Sequence, residues 1–427
     1  MFYKDLIDYI GKGALDARLA ALYGAEAVAA QRDRYLAAIE RFAALYGADR
    51  DLRVFSVSGR SELSGNHTDH NRGMVIAASV QLDIIAVAAA REDSTVRVSS
   101  EGFPEDVVDI AAFTAPREER FSRSDALIAG MCEGLRRKGH AVGGFGAYTT
   151  SNVLKGSGLS SSAAFEVMIG NIENHLYNGG RVENAEIAKL AQFAENVFFG
   201  KPCGLMDQMA CAVGGIVAID FEKQDAPVVE RIELDLAARG FSLCIVDTGG
   251  NHADLTPDYA AVPAEMRAVA AALGAEVLRE TSEEALIARI GALRETLGDR
   301  AILRAMHFFA ENNRVTVQKN ALREGDLDTF FRVVTASGRS SFCYLQNVYT
   351  TANVREQGLS LALCLAERFL SDKEGACRVH GGGFAGTVQA FMRSEHVADF
   401  CALMDGVFGK GASIPLRVRG EGAIALV

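Results

Sequence analysis

Apolar positions recur at helical spacing from Ala27 to Leu45, and Gly47 is placed to end the run, so two helices are expected before the first strand. Alternation takes over at Arg53 to Val57 and returns in the apolar run that closes at Ala90, which predicts two strands around a polar insertion. Leu127, Ile128, Met131 and Leu135 share one face of a helix expected over Asp125 to Lys138, and Phe145 to Val153 reads as a strand. Ile187, Leu190, Ala191, Ala194, Val197 and Phe198 recur at three, four and seven, predicting a helix capped by Asn184 and ended by Gly200. Further on, Phe241 to Asp247 reads as a strand. Helices are expected after Ser282 and over Ala301 to Leu322, and a glycine turn leads into a strand before Arg393. No repeat or low-complexity segment interrupts this mixture, and a division near Phe221 separates a half of residues 1–220 from one of residues 221–427.

Four polar, glycine-marked interruptions stand out. In VLKGSGLSSSAAF, Gly156, Ser157 and Gly158 lead through Leu159 and the serines 160, 161 and 162 into a helical pattern from Ala163. Glycines allow positive φ and close approach of a ligand, and a helix start offers free N–H groups backed by the dipole, so this stretch suits a phosphate. It has neither the Walker lysine nor the Rossmann spacing. The plain alternative is an ordinary N-cap at Ser160 or Ser161. The second stretch, SGRSELSGNHTDHNRG, packs Arg60, Glu62, Asn66, His67, Asp69, His70 and Arg72 between two strands and suits either a turn lining a cleft or a solvated hairpin tip. His67 and His70 lack further ligands at zinc spacing. The third, around Glu195 and CGLMDQM with Gly204 and Asp207, follows a helix. The fourth, CRVHGGGFAG, sets Gly381, Gly382 and Gly383 before a strand.

Composition narrows the partners. The 427 residues are 49% apolar, enough for a large core and for two domains. Forty-four basic residues against 55 acidic give −11 without long runs of one sign, which disfavours nucleic acid or an anionic membrane as partner. No run of 18 apolar residues and no signal-peptide layout appears, and the eight cysteines form no C-x-x-C pair. Free buried thiols and a cytoplasmic location are the expectation.

The G-x-G-L-S-S-S-A-A stretch resembles the phosphate loop of the GHMP small-molecule kinases. The second stretch resembles the galactokinase signature G-R-x-x-x-x-G-E-H-T-D-Y-N-x-G, with Asn66 in place of its Glu and His70 in place of its Tyr. C-G-L-M-D-Q is similar to the C-G-I-M-D-Q of galactokinases, and the glycines at 381–383 to the last GHMP motif, which closes over the phosphate loop. The resemblance implies an α+β, two-domain GHMP kinase fold: an N-terminal half like ribosomal S5 domain 2, a ferredoxin-like C-terminal half, and the active site in the cleft between. It implies an ATP- and Mg²⁺-dependent sugar 1-kinase with galactose as the leading substrate.

Asp207 would be the carboxylate facing the attacking hydroxyl and Arg60 its charge-stabilising partner, since a guanidinium favours the ionised form of a nearby carboxylate while aiming donors at oxygen. Asn66, His67, Asp69, Gly204 and Tyr259 would complete the sugar site. Residues 156–163, from Gly156 to Ala163, would hold the nucleotide, and Ser162 and Glu195 would hold the metal ion. Asn66 keeps hydrogen bonding but removes a charge, so galacturonate and N-acetylgalactosamine stand as alternative substrates. A non-catalytic sugar and ATP sensor is the alternative outside the enzymes.

Overall fold

The computed structural model describes residues 1–153, 158–223, 226–250 and 255–427. Three helices, not two, precede the first strand: α1 (Tyr3–Gly11), α2 (Asp16–Tyr23) and α3 (Val28–Tyr46). The breaks fall at Gly13 and Gly24, both in positive-φ conformations that other residues adopt only with strain.

These helices cover one face of a long antiparallel pair, β1 (Arg53–Ser64) and β2 (Met74–Ala90), through the period of two along each strand. Val54, Ile85 and Val87 pack with Leu19, Tyr35, Ile39 and Phe42 on the helical side. Phe55, Val57, Ile84 and Ala86 point the other way into the main core. The pairing of Arg53 with Ala88 continues to Ser64 with Ile76 across two bulges. Strand character thus persists through Arg60 and Glu62, and the polar turn begins only at Gly65.

β3 (Thr95–Ser100), β4 (Asp106–Asp109), β5 (Phe145–Ser151), β6 (Ile216–Asp220) and β7 (Val228–Ile232) extend the sheet. Its order is β12-β1-β2-β5-β3-β4, where β12 is the C-terminal Ala423–Ala425, and β6 joins the first half of β2 while β7 joins β6. α4 (Ser124–Arg137), α5 (Ser161–Tyr177), α6 (Asn184–Phe193) and α7 (Met206–Val213) fill the main core. α6 continues as one π-turn, Ala194–Phe198, before Gly200.

The second sheet is antiparallel in the order β11-β8-β10-β9, from β8 (Phe241–Asp247), β9 (Gly375–His380), β10 (Thr387–Arg393) and β11 (Ser413–Leu416). The helices before β9 are α8 (Thr256–Ala272), α9 (Glu283–Ile287), α10 (Ile290–Leu297), α11 (Asp299–Glu324), α12 (Leu327–Ser340) and α13 (Gly358–Leu370). α14 (Val397–Phe408) follows β10 and packs with α13 on one face of that sheet, while α12 lies against the other through Phe330 and Phe331 on Phe391.

β7 pairs with β6 and therefore belongs to the first sheet, so the change of sheet falls between Ile232 and Phe241. The chain also crosses back at its end, where β12 (Ala423–Ala425) pairs with β1.

Candidate active site

The long β1 carries Arg60 to the start of α5. Arg60 is 7% exposed. Its Nε lies 2.7 Å from Asp207 Oδ1 and its Nη2 2.6 Å from the same oxygen, while Nη1 donates to the Gly158 carbonyl. Its backbone N–H donates to the Leu159 carbonyl at 3.1 Å. Burial opposes the charge of Arg60, but Asp207 and its hydrogen bonds raise its pKa. Ser160 occupies the N-cap position of α5 in the left-handed conformation, yet its hydroxyl makes no cap. It donates instead to Asp207 Oδ2. Asp207 comes from the first turn of α7.

Ala163 and Leu159 are buried supports, Ser161 is half-buried and Ser162 is exposed in the first turn of α5. Gly156 and Ser157 lie outside the described residues. At Gly158, φ is +71° and an added Cβ would come within 3.1 Å of His380 Nδ1. The end of β9 therefore abuts the loop at a position with no room for a side chain.

The polar turn after β1 and the glycines after β9 meet. Successive glycine carbonyls are each held by a different side chain: Gly381 by Asn66 Nδ2 at 2.7 Å, Gly382 by His67 Nε2 at 2.8 Å and by Asn347 Nδ2 at 3.1 Å, and Gly383 by the Tyr259 hydroxyl at 2.6 Å. A Cβ on Gly382 would strike the Tyr259 ring. Burial pushes Tyr259 up to about 12 and lowers His67 to about 4, so His67 is a neutral donor to Gly382. Beside the bonds to Gly381 and Gly382 lies an open cavity of about 150 Å³ lined by Arg60, Glu62, Asn66, His67, Asp69 and Gly381 among others. Gly204 packs against the Asp69 carboxylate, where a side chain would clash.

Two expected sugar contacts sit differently from a simple cleft-lining role. Asn66 is fully buried, with Oδ1 accepting from Ser341 at 3.1 Å and Asn347 at 2.8 Å, and Nδ2 donating to Glu62 at 3.3 Å as well as to Gly381. Tyr259 reaches the glycine turn, with its hydroxyl on a backbone carbonyl and its ring edge-on to Phe384.

Glu195, on the π-turn, is 3% exposed, and its Oε1 holds Lys201 Nζ at 2.8 Å. Its Oε2 accepts from Gln208 Nε2 at 2.7 Å, which also reaches Glu166 Oε2 at 3.2 Å. Glu166 Oε1 is buried without a hydrogen-bond partner among the described residues. Burial, then the neighbouring Glu195 charge, raises the Glu166 carboxyl well above its ordinary value. Hard oxygen donors of this kind fit Mg²⁺. No group of three or more His, Cys, Asp or Glu suited to a metal occurs among the described residues, so such an ion would depend on nucleotide oxygens for the rest of its shell.

A larger cavity, about 730 Å³, opens beside the start of α5 and is lined by Ser161, Ser162, Phe165, Ser100, Phe103 and Arg123 among others. Lys319 pairs with Glu230 at 3.3 Å, and Arg339 is exposed. All eight cysteines are free, but only four are buried, which corrects the expectation of buried thiols throughout.

Sequence reasoning passed over the residues that lock the two halves together. His380 bridges Ser61 at 3.1 Å and Thr387 at 2.9 Å, and buried Arg378 holds Glu62. His307 and Glu311, one turn apart on α11, bind the backbone of Gly65 and Asn66 from below. For Arg378 and His380 the signal was present: they alternate into the glycine turn. For His307 and Glu311 only their i, i+4 spacing on an apolar helix face marked them.

The GHMP kinases N terminal domain family matches residues 126–215, and the galactokinase galactose-binding signature matches residues 40–90. Among solved structures, Lactococcus lactis galactokinase complexed with galactose superposes with a TM-score of 0.76 at 26% identity, covering 90% of this chain and 98% of that one. A mevalonate kinase superposes at 0.60 with 13% identity over 86% of this chain and 99% of its own, a likeness of fold alone. Fold and site together define a GHMP-type small-molecule kinase. The galactokinase of Streptomyces coelicolor is 33% identical over 367 residues, 84% of this chain and 89% of that protein. The one from Streptococcus thermophilus is 28% identical over 84% of this chain and 90% of its own length. The chain belongs to the galactokinase family.

Proposed function

We propose that this kinase transfers the terminal phosphoryl group of ATP to the anomeric hydroxyl of galactose, giving galactose 1-phosphate and ADP. The observation that carries the reading is the double engagement of Asp207. One carboxylate oxygen faces Arg60 at the sugar cavity, and the other faces Ser160 at the start of the phosphate-loop helix.

In this reading the sugar occupies the small cavity and its anomeric hydroxyl displaces the Ser160 hydroxyl at Asp207, which then orients it and accepts its proton. Arg60 counters charge on the transferring oxygens, and the free amides at the start of α5 receive the phosphates. The adenosine lies in the larger cavity beside Ser161 and Ser162. Ser162 and Glu195 would hold Mg²⁺, with Glu166 behind them. Bound there, the ion would supply positive charge against the phosphate oxygens.

ADP release measured with galactose, galacturonate and N-acetylgalactosamine tests the reading. Turnover is expected to be fastest with galactose, and a clear preference for either other sugar would replace it as substrate.

A further inference from the structure

We propose that Glu62 is the carboxylate that accepts a sugar hydroxyl in the small cavity, in place of the residue at position 66. This rests on the kinase reading above and adds the residue that determines sugar specificity.

Asn66 cannot serve, because both its donors and its acceptor are spent on Gly381, Glu62, Ser341 and Asn347. Glu62 lines the same cavity, and among the described lining residues only Asp69 is another carboxylate. Its Oε1 takes the Asn66 amide and Arg378 Nη2 at 2.5 Å, while Oε2 accepts no hydrogen bond from the described residues. The register of β1 on β2 is regular from Arg60 to Glu62, so the two side chains stand on one face of the strand, one at Asp207 and the other two residues further along.

Arg378 fixes the carboxylate. It is itself fully buried, its Nη1 is on the Leu63 carbonyl at 3.1 Å, and its Nε on that of Val379 at 3.0 Å. A carboxylate held by one oxygen, with the other turned to a cavity of single-sugar size, is preorganised to accept an O–H from a ligand. Asp69 is held more loosely: its Oδ1 accepts the backbone N–H of the adjacent His70 at 2.9 Å, and no arginine or lysine among the described residues pairs with it.

The test is a cycle between protein and substrate. Galactose and its monodeoxy analogues are compared as substrates for the wild type and for Glu62→Gln. One deoxy sugar is expected to lose about tenfold or more in kcat/KM with the wild type, the effect of one charge-assisted hydrogen bond, and to show little penalty with the variant. The galactose KM should rise in the variant while the ATP KM stays within about twofold. Equal penalties in both proteins for every analogue would overturn the assignment.

Should the variant fail to fold with Arg378 left unpaired, a structure of the wild type with galactose decides the matter. A sugar oxygen within about 3 Å of Glu62 supports the proposal, and none within about 4 Å overturns it. A wild type inactive on galactose itself would instead remove galactose as the substrate, which keeps the two failures apart.

Discussion

Asp207 is shared between Arg60, whose Nε and Nη2 reach Oδ1 at 2.7 and 2.6 Å, and Ser160, whose hydroxyl reaches Oδ2. The carboxylate therefore ties β1, the start of α5 and α7 into one point. Asp207→Asn keeps the shape but cannot accept a proton, and its amide turns a donor toward Arg60 or Ser160. It should lower kcat by about a thousandfold while galactose binding, followed by calorimetry, changes far less. Retained turnover would remove Asp207 from the chemistry.

Gln208 follows Asp207 directly in the chain and uses one nitrogen to span Glu195 at 2.7 Å and Glu166 at 3.2 Å. Without that shared donor the two carboxylates face each other. Gln208→Ala should raise the Mg²⁺ concentration needed for half-maximal rate by about tenfold, with the galactose KM little changed. Mn²⁺ binding followed by electron paramagnetic resonance should weaken in parallel. An unaltered metal requirement would make Gln208 a packing residue only.

Asn66 is expected to resist both of the changes that look mildest. In Asn66→Asp the donors to Gly381 and Glu62 vanish, leaving a carboxylate beside a carbonyl and a second carboxylate in a buried site. The cost is about 2–4 kcal/mol, visible as a melting temperature lower by several degrees together with a raised galactose KM. Asn66→Glu, which restores the family residue, should do no better, because the amide's four partners are built for Asn. A stable and fully active Asn66→Glu protein would contradict this account.

Much of this site could be read before any coordinates. Glycine-marked polar stretches are rare enough, and their spelling specific enough, to single out Arg60, Asp207, the serines 160, 161 and 162 and the glycines 381, 382 and 383; of these the structure joins Arg60, Ser160 and Asp207 by hydrogen bonds and sets Gly381 and Gly382 on the same cavity as Arg60, while Ser161 and Ser162 line the larger one. What the sequence could not supply was direction. Periodicity located Asn66 in a turn but could not tell that its amide points inward, because the partners Ser341 and Asn347 lie about 280 residues away, on chain segments with no motif of their own. Glu62 was hidden for the opposite reason. It sits in a strand that looked like a turn, since the run of polar residues in β1 is buried rather than solvated. Buried polar strands of this kind defeat an alternation reading, because burial no longer tracks hydrophobicity.

Glu173 lies far from this chemistry and gives a pH test of the fold itself. It is fully buried in α5, with Oε2 accepting the Gly143 N–H at 3.2 Å and Oε1 accepting Cys132 Sγ at 3.4 Å. Burial pushes its carboxyl up to about 8, so the folded protein keeps the proton at neutral pH. In the unfolded chain the same group ionises at roughly 4.3. Below that value both states are protonated and Glu173 has no pH-linked effect. Between roughly 4.3 and about 8 the unfolded state alone loses its proton, so rising pH draws the equilibrium toward unfolding. Above about 8 both states are ionised and the penalty levels off. Glu173→Gln is uncharged throughout and escapes the penalty. Its stability relative to the wild type should therefore climb steadily from pH 5 to pH 8, reaching an advantage on the order of a few kcal/mol, and then flatten, with the melting temperature following. Paired thermal melts across that range check it, and a difference that does not change with pH would mean that Glu173 is not held protonated in the fold.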